Sequence, residues 1–294
     1  MIIKDSKSRK VFLALNHIIL LLAALLCIFP LIHVFALSLS SSSAATAGDV
    51  KLWPVGFNLK SYGFVMARPA FIRAFFVSVQ RLLLGLPISM IVTILISYPL
   101  SKEKSAFRAR GFFVWFFVIT MLFGGGLVPT YMVVNMTGLM NTIWALVIPG
   151  AVNTFNAVLM LNFFRSLPKE MEEAAFMDGA SHWTTLWKIY IPLSKASLAT
   201  IALFVIVGHW NSWFDGLIYM NSNDKYPLQS LLQTTVVSIN TKIWTEHDLQ
   251  LLKMVNDRTV RAAEIFITMI PILAVYPFLQ KYFTTGIVLG SVKG

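Results

Sequence analysis

Arg81, Asn153, Asn156, Trp210, Asn211, Trp213 and Asp215 are polar or aromatic residues set in largely apolar stretches of this chain. Their types suit the holding of a polyhydroxylated solute, with indole faces against C–H surfaces and amides or a carboxylate taking hydroxyls. An ionised Asp in such a stretch is costly, which makes Asp215 a functional candidate. Interfacial anchoring is the other reading of Trp210 and Trp213, because indoles gather at both membrane surfaces. Arg81 can meet an acidic solute, pair with Asp215, or donate to a backbone carbonyl. Arg261 and Glu264, three residues apart, read as a local helix pair. No catalytic pattern accompanies them: GxxxxGK[ST], HExxH, CxxC and GxSxG are all missing. His17, His33, His182, His209 and His247 show no metal-ligand spacing, and the single Cys27 has neither a disulfide nor a metal partner.

The elements that carry these residues are membrane spans. The 294 residues are 57% hydrophobic and only 13% charged, with a mean hydropathy of +0.72. A soluble domain carries about 25% charged residues, so a soluble enzyme is excluded, and the apolar content excludes a disordered chain. Apolar runs at 11–37, 70–98, 111–133, 141–164, 196–220 and 262–280 predict an all-α, polytopic membrane protein of six transmembrane helices. The basic start, Lys4, Lys7, Arg9 and Lys10, precedes an apolar run far longer than a signal-peptide core, so the first span is uncleaved.

Net charge of +11 reads as orientation rather than nucleic-acid binding. Residues 1–10, 99–110, 165–195 and 281–294 hold 14 Lys/Arg in 67 positions; 38–69, 134–140 and 221–261 hold 8 in 80. Both termini are therefore expected in the cytoplasm. Pro87, Pro99, Pro129, Pro149, Pro271 and the run Gly124 to Gly126 interrupt the spans, as in kinked helices around a cavity. The Ser/Ala-rich stretch from Ser38 to Gly48 reads as a flexible external loop. No internal repeat marks a duplicated transporter.

The longest cytoplasmic loop, 165–195, is expected to be two short helices. Pro168 suits a helix start, and Glu170, Glu172 and Glu173 favour its positive end. Gly179 suits the left-handed residue that closes it, Ser181 can cap the next helix, and Pro192 marks a change of direction. Ala174, Ala175 and Gly179 form a low surface beside Phe176 and Met177. An amphipathic helix resting on the membrane face would look similar. The spacing goes further: Glu173-Ala174-Ala175, then Gly179, Ile189 and Ile191-Pro192, resembles the EAA loop of inner-membrane permeases of ABC importers. Ile191 stands where that family usually has Leu.

Pro129-Thr130-Tyr131, Asn141 to Ala145, Asn162 to Arg165 and Gly208 to Trp213 are similar to the carbohydrate-uptake branch of this family. So are Tyr276 to Gln280 and the ending Gly290 to Gly294. The nearest kin implied are permeases like the smaller membrane subunit of maltose-type importers, serving oligosaccharides, including acidic ones such as alginate or pectin fragments. The resemblance implies one permease domain over 1–294 in a bacterial inner membrane. It implies ATPase coupling through Glu173, Ala174, Ala175, Phe176, Asp178, Gly179, Ile189 and Pro192. It places a sugar path at Trp210, Asn211, Trp213, Asp215, Asn153, Asn156 and Arg81, although in some relatives only the larger membrane subunit holds the sugar.

Implied partners are a second, homologous permease, two ATPase subunits, an extracytoplasmic sugar-binding protein meeting loops 38–69 and 221–261, and membrane lipid, with no nucleic acid. No cofactor is expected in this chain, ATP and Mg belonging to the ATPases. The tail from Thr284 either reaches toward them or frays. Competing readings are an importer permease for a non-sugar solute and an ion-coupled secondary transporter.

Overall fold

A computed structural model describes residues 6–237 and 256–290, and no strand occurs among them. Expectations for Lys4, for 238–255 of the second external loop with His247, and for residues 291–294 of the tail lie outside the described residues. In chain order the helices are α1 (Lys7–Ser38), α2 (Ser42–Ala47), α3 (Lys60–Ala67), α4 (Pro69–Ser101), α5 (Arg110–Leu122), α6 (Leu127–Met136), α7 (Ile143–Val147) and α8 (Thr154–Ser166). They continue with α9 (Lys169–Met177), α10 (His182–Thr185), α11 (Ile191–Leu193), α12 (Lys195–Asn211), α13 (Phe214–Tyr219), α14 (Leu228–Leu232) and α15 (Asp257–Gly290). A π turn, Leu186–Tyr190, joins α10 to α11. The chain divides into two compact units, residues 1–69 with 235–270 and residues 70–234 with 271–294.

The first unit starts on α1, capped by the Ser6 hydroxyl, which accepts the Arg9 amide at 3.2 Å. Its 32 residues span about 48 Å at 1.5 Å per residue. No residue of its most apolar stretch is buried, as befits a lipid-facing helix. The stretch after it is not a flexible loop. Ser42–Ala47 is helical, begun by the Ser41 side chain and closed by Gly48 at φ 80°. Alanine has the highest helix propensity, and the two caps satisfy the ends, so the Ser/Ala composition that resembled a linker builds a helix instead. Ala44 and Ala45 are buried against its surroundings.

Within the same unit, Arg68 and Glu264 form an ion pair with both side chains almost wholly buried. This corrects the local pairing of Arg261 with Glu264. Arg261 instead bonds Asp257 one turn earlier, at 2.5 Å. The physical reason is burial: a carboxylate withdrawn from water needs a desolvated counter-charge, whereas the half-exposed Arg261 is served by its own helix.

In the second unit α4 is the central helix. Its buried face, including Ile94 and Tyr98, packs on Met160 and Phe164 of α8, Leu186 and Tyr190 of the π turn, and Ile201 and Val205 of α12. The expected third span breaks at Gly124 to Gly126 into α5 and α6, which meet at 115°. The expected fourth span, 141–164, divides into the five-residue α7 and the thirteen-residue α8. Pro149-Gly150 removes a donor and loosens the backbone between them. The fifth breaks at Ser212-Trp213, between α12 and α13. Among the described residues three helices are long and apolar enough to cross a membrane, or five if each bent pair counts as one crossing, rather than the six expected.

Candidate functional site

The second unit holds two groups of candidate residues. At the first, α4, α8, α12 and α13 surround a cavity of about 510 Å³ whose lining includes Arg81, Asn153, Asn156 and Asp215. Asp215 sits in the first turn of α13, where a carboxylate suits the helix's positive end. Its oxygens accept from the Ser212 hydroxyl and the Gly216 amide, both at 2.9 Å. They also accept a forked bond from Arg81, one arm at 3.2 Å and the other closer. Arg81 further donates to the Ser212 carbonyl at 3.3 Å. Two of the three sequence alternatives for Arg81, the pair with Asp215 and the bond to a backbone carbonyl, are therefore realised together. The pair is largely desolvated, with side chains 4% and 21% exposed. Asn153 caps α8 by accepting the Asn156 amide at 3.1 Å.

Trp210, Asn211 and Trp213 are not brought into this lining. Trp210 is buried edge-on against Phe75, with ring centres 6.0 Å apart, and Trp213 stands edge-on to Phe214 at 5.5 Å. Asn211 ends α12 as an exposed residue.

Sequence reasoning missed His209. Its Nδ1 accepts the Arg81 Nε hydrogen at 3.3 Å, which requires the tautomer with Nδ1 unprotonated. The ring fits because residue 85 is glycine: a Cβ there would lie 2.6 Å from His209 Nε2. The available signal was Gly85, one helical turn after Arg81 on the same face. Ser89, another turn on, also lines the cavity, and its buried hydroxyl has no hydrogen-bond partner.

The second group is the loop 165–195. Glu170 and Glu172 occupy the first turn of α9, and Asp178 ends it. The Gly179 amide donates to the Phe176 carbonyl at 3.0 Å and the Ala180 amide to the Ala175 carbonyl at 2.9 Å. With Gly179 at φ 79° this is the two-bond closure that a left-handed residue allows. Ser181 then caps α10. Ala174, Ala175, Asp178 and Ile189 line one groove with Glu170 and Met171. Glu173 and Phe176 line a different cavity, where the Phe176 ring meets His182 edge-on at 5.0 Å. Pro192 lies in α11, immediately before an 82° bend into α12. Small residues at 174 and 175 leave the groove low, so another helix or loop can approach its backbone closely.

Broken apolar helices around a polar cavity, together with a capped helical hairpin, make up an all-α, multi-span membrane fold. Among the described residues no group of three His, Cys, Asp or Glu could hold a metal ion. The family described as binding-protein-dependent transport system inner membrane component matches residues 61–289, and the chain belongs to it. It is an inner-membrane subunit of a transport system.

Protein LplC of Bacillus subtilis (strain 168) is 38% identical over 291 residues, covering 99% of this chain and 97% of that protein. The polygalacturonan/rhamnogalacturonan transport system permease protein YtcP of the same organism is 36% identical over 275 residues, covering 94% and 96%. Among solved structures, a chain of a bacterial ABC transporter involved in the import of the acidic polysaccharide alginate is 35% identical. It superposes with a TM-score of 0.87 over 95% of this chain and 99% of that one.

Proposed function

We propose that this chain is one of two permeases lining an import path for acidic oligosaccharides, released to it by an extracytoplasmic binding protein and driven by two separate ATPases. The observation that carries the reading is the Arg81–Asp215 pair facing a cavity inside apolar helices. A uronate carboxylate would share the Arg81 guanidinium with Asp215, while Asn153 and Asn156 take hydroxyls. Relatives named for polygalacturonan and alginate transport support the same solute class. Trp210, Asn211 and Trp213 remain proposed as path residues through a partner permease.

The whole chain is proposed as one six-span domain with both termini in the cytoplasm. The fourth crossing is then the broken segment α7–α8, whose break at Pro149, Gly150 and Asn153 lines the cavity. Irregular backbone at membrane depth is tolerated in that setting. The loop 165–195 docks into the ATPase, with Glu173, Ala174, Ala175, Phe176, Asp178, Gly179, Ile189 and Pro192 as the coupling residues. Closing the ATPases moves it and tilts the spans, a rigid-body change of access.

The test is purification of the complex with its partners, followed by binding-protein-dependent uptake of uronate and neutral oligosaccharides of equal length. Uptake of the uronates, reduced in Arg81→Met, is expected. Equal uptake of neutral sugars, or of a non-sugar solute, would remove the assignment.

A further inference from the structure

Lys102 immediately follows α4 and is buried, in a position where an unpaired ammonium would be costly. Its Nζ donates to Glu172 of α9 at 2.5 Å and to the Tyr190 hydroxyl at 3.0 Å. The rings of Tyr98 and Tyr190 flank it, 4.0 and 4.1 Å from the ammonium. Tyr190 closes the circuit by donating its hydroxyl to the second Glu172 oxygen at 2.6 Å. Burial holds the Lys102 pKa below the ordinary lysine value, with Glu172 opposing the shift in part. One residue further, the exposed Glu103 pairs with Lys169 at the start of α9. Three elements, the foot of α4, the coupling helix α9 and the π turn, therefore meet on one cation.

We propose that Lys102 is a positioning residue that fastens α9 to the foot of α4, so that the two move as one body during transport, with Glu103–Lys169 as the outer part of the same fastening. The proposal rests on the reading of 165–195 as the ATPase-docking loop. Its mechanical consequence follows from α4 being one continuous helix. Arg81, which holds Asp215 in the cavity, lies on that helix about 31 Å from Lys102 at 1.5 Å per residue. Displacement of α9 is thereby delivered to the cavity through α4. The aromatic cage explains why the tie is not simply a surface ion pair, which would be worth little in water.

Two measurements on the reconstituted complex test this. In the first, sugar imported per ATP hydrolysed is compared for Lys102→Met, Lys102→Arg and the exchange Lys102→Glu with Glu172→Lys. Lys102→Met is expected to lower the ratio about tenfold, within the range of ordinary site-to-site coupling. Lys102→Arg should recover much of it, whereas the exchange, which sets a carboxylate against the two tyrosine rings, should not. An unchanged ratio in Lys102→Met overturns the proposal.

In the second, Glu103→Cys and Lys169→Cys are bridged by a short bismaleimide in a Cys27→Ser background, so that the natural exposed thiol does not react. Both positions are solvent-exposed, which keeps the fold out of question. Bridged protein should transport as well as unbridged protein; arrest of transport shows that α9 and α4 must separate, and overturns the proposal even if Lys102→Met fails to assemble. Gly179→Asp is assayed in parallel. Normal coupling in that variant removes the docking-loop reading itself, while the bridging result still reports whether the two elements move together.

Discussion

Removing either end of the Arg81–Asp215 pair should cost different amounts, and the difference can be worked from its surroundings. Asp215→Leu leaves a guanidinium that is 4% exposed, with only the Ser212 carbonyl and His209 Nδ1 as acceptors. An uncompensated buried charge of this kind costs about 3–5 kcal/mol. Arg81→Met leaves a carboxylate that is 21% exposed and still receives the Ser212 hydroxyl and the Gly216 amide. Its loss is nearer the about 1–3 kcal/mol of a missing hydrogen-bond partner. The double variant removes both charges together, and should be more stable than Asp215→Leu alone. At about 2–4 °C per kcal/mol, Asp215→Leu should lower the thermal midpoint of the detergent-purified complex by roughly 10 °C. The assay is heating followed by size-exclusion chromatography, arranged as a double-mutant cycle. Arg81→Met as damaging as Asp215→Leu, or a double variant equal to the sum of the singles, would refute the reasoning.

Gly85→Ala places a methyl group 2.6 Å from His209 Nε2 and should cost about 1–3 kcal/mol by overpacking; addition of His209→Ala should restore the thermal midpoint. Glu173→Lys and Gly179→Asp should insert normally yet uncouple ATP hydrolysis from uptake, the latter also carrying about 1–2 kcal/mol of backbone strain at φ 79°. Normal uptake into vesicles by Gly179→Asp counts against the coupling role. Glu264→Leu, which removes one side of an almost wholly buried ion pair with Arg68, should lower the thermal midpoint at a cost of up to about 3–5 kcal/mol. Arg261→Met, which removes a partly exposed i,i+4 pair with Asp257, should cost less than Glu264→Leu, about 1 kcal/mol or less.

What the sequence made legible was local. The hairpin 165–195 could be read because its start, its left-handed Gly179 and its Ser181 cap each depend on a few neighbouring residues. The same locality explains the failures. Ser38 to Gly48 has the composition of a linker, and only the joint action of Ser41 and Gly48 as caps makes a helix of it. The run 141–164 is apolar enough for one span, but average hydropathy does not register that Pro149-Gly150 divides it. A three-residue helical spacing points from Glu264 to Arg261. The actual partner of Glu264, Arg68, is distant in sequence, and burial rather than spacing decides between them.

The charged residues of this chain acquire their meaning from that distinction. Arg81 and Asp215 could each be singled out as expensive in an apolar segment, but their pairing depends on α4 and α13 meeting across 134 positions of sequence. Lys102 gave no such signal, because a lysine just past a span looks like an orientation charge. Burial separates it from Lys104 and Arg108 in the same basic loop, both of which are exposed. An orientation charge needs only to be on the correct side of the membrane and tolerates replacement by another cation nearby. A lysine held between two tyrosine rings and a carboxylate does not, since moving it by one position would take the ammonium away from both rings and leave Glu172 with the Tyr190 hydroxyl but no counter-charge. The basic residues of 99–110 and 165–195 therefore fall into two populations, exposed and buried, and the proposed fastening of α9 to α4 centres on the buried Lys102.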